Sequence, residues 1–198
     1  AINPNGAKQQ RPKQQRRWEY FTPITHERGQ AALSVHRIDD GNGTRKIWQE
    51  PLIDGQRAAA VKEKVLPYRL PEALKELEAG AAHIYWVEGE PCVDRLWELG
   101  LPAVTSIGGA GKFKPERDAG HIPPERLVVV PDRDQPGVKH MEQVAAAHPG
   151  CQWLYPFPGT SQWNGSCPTS GGVDIADWID AGAGLQQIVA GIGPRLQH

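Results

Sequence analysis

Apolar and polar positions alternate in the first third of the chain and recur at helical spacing in much of the rest. Residues 31–38, AALSVHRI, and 44–49, TRKIWQ, carry β-branched and aromatic side chains around the turn cluster DDGNG, which predicts a β-hairpin. From Pro71 the pattern changes. PEALKELEA opens on a proline suited to a first helical turn, places Leu74 and Leu77 on one face and stops at Gly80, which predicts a helix. HIYWVE reads as a strand running into Gly89, followed by a helix carrying Val93, Leu96, Trp97 and Leu99 that stops at Gly100. PAVTSI is a short strand, RLVVVPD a buried-type strand, PGVKHMEQVAAAH a helix opened by Pro136, and CQWLYPF a fourth strand. Parallel neighbours cannot be joined by tight turns, so this order predicts crossover helices and a small three-layer α/β unit. Residues 1–17 are rich in Gln, Lys, Arg, Asn and Pro with few apolar anchors, the composition of a flexible basic linker. The expected organisation is a linker over 1–17, a small hairpin-containing subdomain over 18–70, and the α/β domain over 71–198.

Composition narrows the class. With 198 residues, 39% hydrophobic and 23% charged, the chain can bury a core, and 22 Gly with 18 Pro favour many short elements over a helical bundle. No apolar run approaches the roughly 20 residues that span a bilayer, and the N-terminus lacks the apolar stretch of a signal peptide, so a soluble, cytoplasmic protein with no membrane partner is expected. Cys92, Cys151 and Cys167 are widely spaced and form no CxxC pair, which supports neither a disulfide framework nor a tetrahedral zinc site. None of the seven histidines shows HExxH spacing. Net charge is -1, yet residues 1–70 hold 13 Lys/Arg against 7 Asp/Glu, and the remainder 9 against 16. A basic front suits nucleic-acid phosphates and an acidic back suits cations, although solvated surfaces would look the same.

The acids are placed where chemistry gathers. In parallel sheets ligands collect at the carboxyl ends of the strands. HIYWV runs into Glu88-Gly89, and RLVVVP runs into Asp132-Arg133-Asp134, so Glu88, Asp132 and Asp134 are expected on one edge. Three such carboxylates make a hard oxygen site suited to Mg²⁺ or Mn²⁺. Two acids in a turn also serve as a solvated turn or a helix N-cap, and that alternative stays open.

YWVEGEPCVDRLWELGLPAVTSIGGAGKF followed by LVVVPDRDQPGVKHMEQVA resembles the toprim domain, shared by bacterial-type primases, type IA and II topoisomerases and some nucleases. The Glu88-Gly89 pair and Asp132, Asp134 and Gly137 match its two signature motifs. GGVDIADWIDAG, with Asp174 and Asp177, is similar to the aspartate-rich segment of primases, especially those fused to helicases in phages, plasmids and prophages. The resemblance covers roughly residues 31–182. It implies a small Rossmann-like parallel sheet flanked by helices, behind the small N-terminal subdomain. It also implies a DNA primase fragment that uses Mg²⁺ or Mn²⁺ to join ribonucleoside triphosphates on a single-stranded DNA template during replication. Glu88, Asp132 and Asp134 would be catalytic, and the same three with Asp174 would be the metal ligands. Asp174 and Asp177 equally suit a helix cap with a first-turn acid. The replicative helicase and zinc-binding module that accompany such primases would have to come from elsewhere. A toprim nuclease, a topoisomerase-like component and a non-catalytic metal- or DNA-binding module remain alternatives.

Other candidates carry weaker signals. GGAGKF fails the GxxxxGK[ST] spacing, with Ser106 where the first glycine belongs and Phe113 in place of the Ser/Thr, so it is no Walker loop. Gly109, Gly111 and Lys112 are still candidates for a nucleotide or phosphate, and so is Lys139 near a helix start; a plain turn and a solvent-facing lysine are the alternatives. Arg11, Lys13, Arg16 and Arg17 beside Trp18, Tyr20 and Phe21 are candidates for nucleic-acid binding, although aromatics after a linker also serve as core anchors.

Overall fold

The computed structural model describes residues 13–41, 44–159, 163 and 167–196. Two compact units divide between Lys64 and Val65.

In the first unit, β1 (Gln14–Tyr20), β2 (Leu33–Asp39) and β3 (Arg45–Pro51) form an antiparallel sheet in the order β1-β2-β3. The expected hairpin is β2–β3; residues 42 and 43 of its turn lie outside the described residues. β1 corrects the reading of 1–17 as a linker, because Gln14 to Arg17 pair in register with Asp39 to His36. The physical reason is anchoring. Trp18 and Tyr20 are buried opposite Val35 and Leu33, and that apolar row draws the preceding polar residues into the ladder. Short helices α1 (Pro23–Glu27) and α2 (Ala58–Lys62) complete the unit, α1 opening on a reciprocal cap between Thr22 and Thr25.

The second unit runs α3 (Leu70–Glu78), β4 (Ile84–Trp86), α4 (Glu90–Glu98), β5 (Ala103–Val104), α5 (Pro115–Asp118), a 3-10 turn, β6 (Leu127–Val129), α6 (Gln135–Ala147), β7 (Gln152–Leu154), α7 (Ile175–Asp180), α8 (Leu185–Ala190) and β8 (Ile192–Gly193). Strand order is β5-β4-β6-β7-β8, parallel except for β8. The strands are shorter than their apolar runs. Val87 and Val130 still donate to Val104 O and Trp86 O, so the chain leaves the sheet only as it reaches the acids. Alternation sorts the side chains into two layers. Tyr85, Val128 and Leu154 pack with residues of α4, α7 and α8, whereas Ile84, Trp86, Leu127, Val129 and Trp153 pack with residues of α3 and α6. Among the described residues no helix is long and apolar enough to cross a membrane.

Leu127 on the central strand is fully buried, so Leu127→Ala should lower unfolding free energy by about 2–5 kcal/mol in urea titrations, whereas Val189→Ala on the exposed side of α8 should change it by about 0.5 kcal/mol or less.

Candidate functional site

β4 and β6 are neighbours, but the chain leaves β4 toward β5 on one side and leaves β6 toward β7 on the other. Such a divergence opens a crevice beyond the strand ends. Glu88 follows β4 and Asp132 follows β6, so the two carboxyls face this crevice as a direct consequence of topology. Thr105 Oγ1 donates to the Glu88 carbonyl at 2.9 Å, tying the end of β5 to the end of β4.

The Asp132-Arg133-Asp134 turn is tight and fastened from two sides. Asp134 N donates to Asp132 O at 2.8 Å, and Asp134 caps α6, its Oδ1 accepting from Gly137 N at 2.9 Å. Gly137 is required by space: a Cβ there would stand 2.7 Å from Asp132 O and 2.8 Å from Asp132 Cβ. The second fastening comes from residues 168–173. Gln135 N donates to Pro168 O and Arg133 N to Val173 O, both at 2.9 Å, while Gly172 N donates to Asp134 Oδ2 at 3.1 Å. A Cβ on Gly172 would overlap the Arg133 carbonyl. Asp174 then caps α7 in a reciprocal box with Asp177: Asp177 N donates to Asp174 Oδ1 at 2.8 Å and Asp174 N to Asp177 Oδ2 at 3.1 Å. Asp134 and Asp174 therefore both fill the cap positions that the sequence left open, and Asp177 is the first-turn partner.

The glycine-rich loop belongs to the same crevice. Gly108, Gly109 and Gly111 adopt left-handed φ of 94°, 74° and 70°, which side-chain-bearing residues resist. The loop's amides turn inward. Ala110 N–H bonds to the Glu88 carboxylate, Gly111 N donates to His140 Nδ1 at 3.2 Å, and Lys112 N donates to Gly109 O at 3.1 Å. The amides of Ala110, Gly111 and Lys112 thus have acceptors within the protein. Beneath the loop, Arg117 and Asp118 form a buried pair at 2.6 Å; Arg117 also donates to Lys112 O, and Asp118 Oδ2 accepts from Lys114 N. His140 was not singled out in the sequence. Its burial lowers the imidazole pKa to about 4, so it is a neutral prop for the loop.

No protein-family model and no curated protein sequence matches the chain significantly. Solved structures do. The E. coli primase catalytic core superposes with a TM-score of 0.50 at 19% identity, over 82% of this chain and 48% of that one. The DnaG primase catalytic domain bound to ssDNA gives 0.53 at 19%, over 84% and 50%, and a further DnaG catalytic core gives 0.51 at 20%, over 82% and 48%. The fold is that of the primase toprim core. The chain spans about half the length of these structures.

In this toprim unit the carboxyls act on one another. Burial, followed by the charges of Glu88, Asp174 and Asp134, pushes the Asp132 carboxyl up to about 9; burial and then Asp134 raise Glu88. As ionised groups Glu88 and Asp132 would only repel, and a proton held by Asp132 turns their contact into a hydrogen bond. Glu88 Oε2 is buried and meets no donor. The four carboxyls are neighbours in charge without being a closed cage: among the described residues no three acidic, imidazole or thiol groups gather at metal-binding separation. Their chemistry nevertheless fits a hard divalent cation, because a cation would relieve the repulsion and supply the partner that Oε2 lacks.

The remaining candidates are dispersed. Lys112 and Lys139 are exposed. Lys13 precedes β1, Arg16 and Arg17 occupy successive strand positions and so point to opposite faces, Arg17 pairs with Glu19 at 2.9 Å, and Arg11 lies outside the described residues. A cavity of about 1070 Å³ is lined wholly by first-unit residues such as Thr22, Ile24, Arg28 and Leu52 and includes none of the four carboxyls.

Gly137→Ala should cost about 1–3 kcal/mol by forcing α6 off the Asp132 backbone, read as a lowered urea midpoint. Asp132 binds its proton more tightly folded than unfolded, so its contribution to stability is full below about pH 4 and is lost as pH rises through about 9. Melting temperature in EDTA should therefore fall across that window, and Asp132→Asn should flatten the fall.

Proposed function

We propose that the chain is the toprim portion of a DNA primase, joining ribonucleoside triphosphates into short RNA on single-stranded DNA. The observation that carries this reading is the convergence of Glu88, Asp132, Asp134 and Asp174 on the crevice between β4 and β6 of a primase-type fold. That one similar structure is a primase domain bound to ssDNA supports the template assignment. Asp132, Asp134 and Asp174 would hold Mg²⁺ or Mn²⁺, with Glu88 as an additional ligand or proton acceptor. When bound, such cations neutralise phosphate oxygens and make a 3′-hydroxyl a better nucleophile.

The chain's own residues do the rest. Asp134 spends one lone pair of Oδ1 on Gly137 N and one of Oδ2 on Gly172 N, and each carboxylate oxygen has a second lone pair with which to ligate. Asp174 likewise caps α7 while keeping acceptor capacity. Glu88, whose pKa is raised by burial and by Asp134, would take a proton at Oε2, and the Ala110 amide orients its carboxylate. The helicase and the zinc-binding module would act from other domains or chains.

Incubation with single-stranded DNA, labelled ribonucleotides and Mg²⁺ or Mn²⁺ should yield short RNA, with Glu88→Gln and Asp132→Asn each reducing the yield about 100-fold or more. Metal-dependent cutting of the template without new RNA would replace the primase reading with a nuclease; no RNA and no cutting would reject catalysis by this chain alone.

A further inference from the structure

Residues 109–112 form one tight turn, closed by Lys112 N donating to Gly109 O at 3.1 Å, and its two central amides are engaged on different partners. Ala110 N–H meets the Glu88 carboxylate, and Gly111 N donates to His140 Nδ1 at 3.2 Å. The turn also lies against the Glu88 backbone: a Cβ on Gly109 would stand 3.9 Å from the Glu88 carbonyl oxygen. Gly111, third in the turn, has the left-handed φ of 70° that glycine tolerates there. Peptide planes are stiff, so in a closed four-residue turn the acceptor that holds one central amide sets the direction of the other.

His140 is suited to the accepting role. Gly111 N occupies Nδ1, so Nδ1 carries the lone pair and Nε2 carries the proton. Burial, opposed by the charge of Asp118, lowers the imidazole pKa to about 4, which keeps that lone pair available at neutral pH. Nε2 is buried and meets no acceptor among the described residues. A buried donor left unsatisfied is destabilising, so packing does not account for an imidazole here, whereas its accepting nitrogen does. His140 also joins two parts of the crevice. It lies one turn beyond Gly137 in α6, the helix that Asp134 caps through Gly137 N at 2.9 Å. A single helix thus carries the Asp134 cap at its start and the acceptor for the glycine turn. The other fastenings of the loop fall farther on: Arg117 donates to Lys112 O at 3.1 Å, and Asp118 Oδ2 accepts from Lys114 N at 2.9 Å. Of these contacts, the one made by His140 falls on the amide next to Ala110.

We propose that His140 is a positioning residue for Glu88, acting through the turn at 109–112 to aim the Ala110 N–H at the Glu88 carboxylate. The proposal rests on the reading of Glu88 as a catalytic group and adds the residue that orients it. Asn and Leu have nearly the same shape, and Asn Oδ1 can stand where Nδ1 does, so His140→Asn and His140→Leu differ chiefly in the acceptor. In the metal-free full chain, amide hydrogen exchange at Ala110 and Gly111 should be about tenfold faster or more in His140→Leu than in the parent, with His140→Asn close to the parent and the Gly137 amide unchanged in both. In primer synthesis with Mg²⁺, His140→Leu should lower kcat about tenfold or more at unchanged nucleotide KM, and His140→Asn should recover most of the loss.

Parent-like exchange at Ala110 in His140→Leu would overturn the proposal, since the turn would then keep its aim without the imidazole. Faster exchange at Ala110 with an unchanged kcat would overturn it too, as would equal losses in the Asn and Leu variants. Loss of the folding transition in either variant, or faster exchange at Gly137, would make His140 a general brace of α6 and equally overturn it. The primase reading fails separately: a parent chain that makes no RNA rejects that reading, and exchange at Ala110 still decides whether His140 aims the turn.

Discussion

Like charges crowded at the carboxyl edge of a parallel sheet repel, and the second unit is organised around keeping them there. At an effective dielectric of about 20 each close pair of carboxylates costs a few kcal/mol. Burial adds to that cost for Asp132, which in the absence of a cation keeps its proton up to about pH 9. A chain relaxing freely would swing such groups into water. Here they are retained because each backbone position beneath them is fixed by something else: β4 and β6 by pairing, Glu88 O by Thr105, Asp134 by its cap, and Asp174 by its exchange with Asp177.

Absence of side chains does much of this fixing. Gly137 lets α6 begin against the Asp132 backbone, and Gly172 lets a distant segment lie directly on Arg133. The left-handed glycines between β5 and α5 bend the chain so that Ala110 meets Glu88 and Gly111 meets His140. The capping duty of Asp134 and Asp174 and their candidate role toward a cation are compatible, since a carboxylate has several acceptor sites. A carboxyl used in both ways is held more rigidly than one that only caps.

The sequence made the parallel sheet legible because each apolar run was bounded by proline or glycine, and it made Glu88, Asp132 and Asp134 legible because each followed such a run. It did not disclose that Gln14 to Arg17 join a sheet: their composition is that of an arm, and the decision rests on cross-strand packing of Trp18 and Tyr20 against Val35 and Leu33 of β2. β8 was equally hidden, because Ile192 and Gly193 make only a two-residue antiparallel pairing with β7, too short to leave an alternating pattern. His140 and Gly172 act through contacts far away in sequence. The paired glycines at 171–172 ahead of VDIAD were the only local sign of the second. The inward turn of the GGAGK amides could not be read from glycine content, which permits a bend without saying which way the N–H groups face.

The fastening of the Asp-Arg-Asp turn by Gly172 spans 38 residues of chain. During vectorial synthesis β4, β6 and α6 emerge before the segment that locks the turn, so the sheet can assemble around an acidic edge whose geometry is not yet final. The acidic turn therefore reaches its final fastening only after the residues of both central strands and of α6 have been made.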